Sequence, residues 1–77
     1  MPDDSEKFAR RLGEAIRQRR EKQGMSQEDL ARVARFHRNW IGRVERGQVN
    51  LTTWCLVQIA EALGESPSAL LRRAEVQ

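Results

Sequence analysis

The 77-residue sequence predicts an all-α fold, a compact bundle of five short helices. Three observations predict it. Ala, Leu, Glu, Gln and Arg outweigh the β-branched residues, and Tyr is absent, a balance that favours helix over sheet. Apolar residues recur at spacings of three and four, which puts them on one face of a helix. Residues suited to helix starts precede these stretches, and glycines follow most of them.

Asp3 and Glu6 have the spacing of a capping box and open helix 1. Phe8, Leu12, Ala15 and Ile16 share its inner face, and Gly24 suits the left-handed residue that ends it. Ser26 caps helix 2, with Gln27, Glu28 and Asp29 in the first turn, where acidic side chains are favourable. This helix runs over 27–34 and buries Leu30, Ala31 and Ala34. Arg35, Phe36 and His37 form a break, and His37 is a second-rate cap for helix 3. Helix 3 covers about 38–46, buries Ile41 and Val44, and stops at Gly47. Thr52 caps helix 4, whose core residues are Leu56, Ile59, Ala60 and Leu63 before Gly64 ends it. Ser66-Pro67 is a cap followed by proline at the first helical position. The short helix 5 contributes Leu70 and Leu71, and the last few residues are expected to fray. With no repeat, linker or low-complexity stretch, the chain reads as one domain over 1–77.

The net charge is +3, and it is unevenly placed. Residues 1–31 balance seven basic against seven acidic side chains. Residues 32–46 carry Arg32, Arg35, Arg38, Arg43 and Arg46 against Glu45 alone, and residues 47–77 are slightly acidic. A basic stretch of this kind implies an acidic partner, nucleic acid before others. Cys55 is the only cysteine, so no intrachain disulfide forms, and a reducing, cytoplasmic setting is expected. The polar, acidic start (Pro2, Asp3, Asp4, Ser5, Glu6) is unlike a signal peptide, and no apolar run has membrane-spanning length. His37 is the only histidine, and no metal-ligand spacing, phosphate loop or nucleophile motif is present. The expectation is therefore no metal, no cofactor and no enzyme. Cys55 reads as a packing residue.

The informative segment is Gln27 to Arg46. Two helices joined by a three-residue turn cross closely, so the crossing needs a small residue, and Ala31 supplies it. Phe36, Ile41 and Val44 then wedge the pair at a fixed angle. That angle lets the second helix enter the major groove of DNA while the first lies across the backbone.

On these residues the chain resembles the phage-repressor-like (Cro/C1 or XRE) helix-turn-helix family, from about Phe8 to Leu71. The landmarks are Ile16-Arg17-Gln18-Arg19-Arg20, Gly24 to Ala31, Ile41, Val44-Glu45-Arg46-Gly47, Leu56, Ile59-Ala60 and Ala62-Leu63-Gly64. His37 to Ile41, then Glu45-Arg46-Gly47 and Asn50, is similar to the controller proteins of restriction–modification systems. The resemblance implies a lambda-repressor-like domain. Its helix-turn-helix unit lies at about 26–46, with helices 4 and 5 at about 52–73 on a dimer side. It also implies a buried structural ion pair between Arg20 and Glu45.

Within that frame, Arg38 and Asn39 at the start of helix 3, and Arg43 one turn later, are base-reading candidates. Arg pairs bidentately with guanine and Asn with adenine. Trp40 joins them, either against a thymine methyl, or donating its indole N–H to phosphate, or covering the domain's own surface. Gln27 at the start of helix 2, with Arg35, His37, Arg46 and Asn50, are phosphate candidates. Arg35 stands where the family usually has Gly, at a cost of about 1 kcal/mol if the position is left-handed. Gly42 inside helix 3 costs about 1 kcal/mol against Ala, and close approach to DNA or to a partner protomer would explain it. On helix 4, Trp54 lies opposite the core stripe with Val57 beside it, which suggests a homodimer interface unless helix 5 or the C-terminal tail covers them. A two-fold dimer spaces its reading helices about 34 Å apart and selects a pseudo-palindrome. The leading reading is thus a transcriptional regulator of double-stranded DNA. The alternative is an antitoxin-type module that binds a toxin protein.

Overall fold

The structure, a computed structural model, describes residues 3–76. Positions 1, 2 and 77 lie outside it, including Pro2 of the polar start and Gln77 of the end expected to fray. Five helices follow in order: α1 Asp4–Lys22, α2 Gln27–Ala34, α3 Arg38–Glu45, α4 Thr53–Ala62 and α5 Pro67–Glu75. Each begins at a side-chain cap that accepts a backbone N–H left orphaned in the first turn. Asp3 Oδ1 accepts from Glu6 at 2.8 Å, and Thr52 Oγ1 accepts from Cys55 at 3.1 Å. At α2 the box is reciprocal: Ser26 Oγ accepts the Asp29 N–H and Asp29 accepts the Ser26 N–H, both at 2.9 Å. The Ser26 N–H holds the Asp29 carboxyl below its usual range, with help from the Ser26 hydroxyl and Arg32.

The helices enclose one core. Leu12, Ala15, Ile16, Leu30, Ile41, Val44, Ile59, Leu63 and Leu70 are buried, and Phe8 and Phe36 are half-buried against them. α1 packs on α3 and α5, α2 on α3 and α4, and α4 on α5. The long first helix is thus the spine on which α3 and α5 are both mounted.

The carboxyl end departs from the expectation. α5 is nine residues long and continues to Glu75. Ala74 is fully buried, while Leu71 is only half-buried. A methyl side chain lets the last turn of α5 lie against the core as far as Ala74, and Glu75 and Val76 beyond it are exposed. Glu65 strengthens the same corner, pairing with Arg73 at 2.5 Å and lying 3.8 Å from Arg19 of α1. No described helix is long and apolar enough to cross a membrane.

Candidate DNA interface

The turn between α2 and α3 is built on a left-handed residue. Arg35 has φ 65° and ψ 45°, the only non-glycine with positive φ among the described residues. That conformation lets the Phe36 N–H reach back to the Ala31 carbonyl at 2.8 Å. Arg in this conformation costs about 1 kcal/mol relative to Gly. His37 then caps α3, its Nδ1 accepting the Asn39 N–H at 3.2 Å.

Two contacts fix α3 on the spine. The first is an approach that no other side chain would allow. A Cβ on Gly13 of α1 would overlap the Val44 carbonyl oxygen and lie 2.6 Å from that of Glu45. The second is ionic. Arg20 of α1 grips Glu45 bidentately, Nε at 2.7 Å and Nη2 at 3.0 Å, and its Nη1 donates to the Met25 carbonyl at 2.8 Å. The two side chains are only 9% and 2% exposed. The hydrogen bond to Glu45 binds the Arg20 proton more firmly than in a free arginine. Gln27 joins this network, its Nε2 donating to Glu45 Oε1 at 3.0 Å. The Gln27 side-chain donor is therefore turned inward.

Against this buried support stand the exposed groups. Arg38, Asn39 and Arg43 are exposed, as are Arg35, His37, Arg46 and Asn50. Arg38, Asn39, Gly42, Arg43 and Arg46 line a recess of about 360 Å³ that Gln27 closes at one side. Gly42 is part of its wall: a Cβ there would lie 3.1 Å from Arg46 Nη1 and 3.5 Å from Gln27 Oε1. The glycine thus gives room to the Arg46 guanidinium. Trp40 is half-buried and stacks on Phe36, ring centroids 4.4 Å apart and planes tilted by 31°. Asn50 sits apart from the recess, in the loop after α3 beside Glu6 and Ala9 of α1.

The other face exposes large apolar side chains among polar ones. Trp54 is 66% exposed, so α5 does not cover it, and Val57 is half-buried. Trp54, Gln58 and Glu61 of α4 border a groove of about 380 Å³ whose far wall is Val33 and Arg35. Val33 is 53% exposed and was not anticipated. It lies off the Leu30, Ala31, Ala34 stripe, so a helical projection of α2 could have found it. The Gly13 contact and the Arg19–Glu65–Arg73 cluster were also missed, because they join residues far apart in sequence.

A family model described as a helix-turn-helix domain matches residues 11–74. The chain is 42% identical over 62 residues to control protein C.SmaI of Serratia marcescens, covering 80% of this chain and 74% of that one. This chain belongs to the helix-turn-helix family of control proteins. Solved structures agree. The restriction–modification controller protein C.AhdI of Aeromonas hydrophila is 35% identical with a TM-score of 0.79, covering 80% of this chain and 94% of that one. The controller protein C.Esp1396I, solved as a tetramer with its natural 35-base-pair operator, is 29% identical with a TM-score of 0.81. The match to it covers 91% of this chain and 96% of that one. As a member of this family, the chain is a DNA-binding transcriptional regulator.

Proposed function

We propose that this regulator reads its operator through α3 in the major groove, as a homodimer, and controls a restriction–modification system. The observation that carries the reading is the recess along the exposed face of α3. Arg38, Asn39 and Arg43 project from one exposed face of a helix whose opposite face is locked to α1. A rigid helix with free donors is what base readout needs. Trp40, backed by Phe36, offers its outer edge to a thymine methyl. Arg35, His37, Arg46, Asn50 and the α2 backbone at Gln27 hold phosphates and set the register. Trp54 and Val57 form the self-association face. The Arg20–Glu45 pair is structural. Such a regulator acts in the cytoplasm, where the DNA is, and its level in the cell sets its occupancy. The control-protein relatives favour this reading over an antitoxin that binds a toxin.

The test is selection of bound duplexes from a random pool at near-physiological salt. Enrichment of an inverted repeat is the expected result. Recovery of unrelated sequences, with binding that only salt weakens, would leave the basic face gripping backbone without reading bases.

A further inference from the structure

We infer that the DNA-binding surface extends beyond the helix-turn-helix unit to a phosphate-binding point on α1, formed by Arg10 together with Arg46. The inference rests on the DNA-binding reading and adds a contact from a helix to which that reading assigns none.

Gly47 joins these two arginines. It follows Arg46, the residue that caps the end of α3, and has a φ of 75°. A Cβ there would lie 2.5 Å from Arg10 Cγ and 2.6 Å from Arg10 Cα. The loop leaving the reading helix therefore runs in van der Waals contact with the α1 backbone at Arg10. Arg10 is held to the end of α3 as firmly as Gly13, one turn along, is held to its last carbonyls.

Arg10, Arg46 and Gln48 line one recess of about 370 Å³, with Glu6 at its edge. Arg46 also lines the recess of Arg38, Asn39 and Arg43. It is thus shared, and the exposed arginines form a continuous strip that leaves α3 and ends on α1.

Charge pairing separates Arg10 from the later arginines of α1, although its neighbour Arg11 is also without an ion pair among the described residues. Later on α1, Arg17 is paired with Glu14 and Glu21, Arg19 faces Glu65, and Arg20 is locked to Glu45. Arg10 and Arg46 form no ion pair among the described residues, although Glu6 lies one helical turn from Arg10. Two unpaired guanidiniums against the single carboxylate of Glu6 leave this recess with a net positive charge, which suits an anion. The anion that lies alongside a reading helix in the major groove is a backbone phosphodiester.

The test measures binding to a random-sequence duplex of about 20 base pairs, which reports backbone contacts, at several salt concentrations. Arg10→Gln keeps the side-chain stem that packs on Gly47 and removes the charge. It is expected to weaken binding about fivefold at 0.15 M salt and to lower the magnitude of the log K against log salt slope by about 0.9. Glu6→Gln is expected to act in the opposite direction and strengthen binding. Arg72→Gln, on exposed α5, is the control and is expected to leave both quantities unchanged. Thermal melts of each variant keep folding separate from binding. A folded Arg10→Gln protein with the affinity and slope of the Arg72→Gln control would overturn the α1 contact alone. A wild-type chain that does not bind the duplex would overturn the DNA-binding reading itself.

Discussion

The α2–α3 face and the α4 face of this molecule treat their side chains in opposite ways. On the first, the positive groups of the reading helix are left free: Arg38, Arg43 and Arg46 stand exposed, and the acid of α3, Glu45, is turned inward onto Arg20, while on α2 Arg32 pairs with Asp29. On the second, two large apolar side chains, Trp54 and Val33, stand exposed beside Gln58 and Glu61, and Arg19 and Arg73 at the adjoining corner are closed onto Glu65. A surface meant for a polyanion keeps its cations unpartnered and buries the counter-charge that would compete. A surface suited to another protein leaves apolar area to be covered. The comparison yields predictions for each face and for what lies beneath the first.

The largest effect should come from removing the buried acid. Glu45→Ala leaves Arg20 charged and unpaired and takes an acceptor from Gln27, and should cost about 3–5 kcal/mol of folding stability by denaturant melt. The loss should reach both faces, because α1 carries α3 and α5 alike. A loss below about 1 kcal/mol would mean the pair is solvated like a surface bridge.

The next effect should be confined to DNA. Asn39→Ala removes a group whose side chain makes no bond within the chain among the described hydrogen bonds, although its backbone N–H is capped by His37. Stability should be unchanged, while discrimination at one base-pair position should fall by about 1–3 kcal/mol. The readout is affinity for the selected operator against single-position variants. Equal loss across all positions would reassign Asn39 to the backbone.

Trp54→Ala tests the other face. An exposed Trp adds little to the fold, but at the centre of an interface it can contribute about 2 kcal/mol to association. Sedimentation equilibrium should show weakened self-association with an unchanged melting temperature. An unchanged dimerisation constant would remove Trp54 from the interface.

The sequence made the helices legible because their signals are local. Ser26, Thr52 and Ser66 cap as their types suggest, and Gly24, Gly47 and Gly64 take the positive φ that ends α1, α3 and α4. The exposed row on α3 was legible from the same periodicity. Its support was not. The need for Gly13 and the contact of Gly47 with Arg10 depend on where one helix crosses another, and nothing in the spacing of either glycine reports that. Gln27 shows the limit most clearly. Its place at the start of α2 suggests a side chain reaching for phosphate, but Glu45 lies 3.0 Å away and takes the amide proton inside.

Arg35 lies on the border between the two faces, and it gives the smallest but most discriminating prediction. It closes the turn before α3 in a left-handed conformation, and it also forms a wall of the groove beside Trp54. Arg35→Gly relieves the strain and should raise stability by about 1 kcal/mol. A residue retained against that gain serves something outside the fold. If its partner is a phosphate, the variant should bind DNA severalfold more weakly, with a shallower salt dependence and an unchanged dimerisation constant. If its partner lies across the groove beside Trp54, self-association should weaken and the salt dependence should hold. The two measurements, made on one variant, assign Arg35 to one face or the other. A variant that gains stability and loses neither property would show that the strain has no functional counterpart.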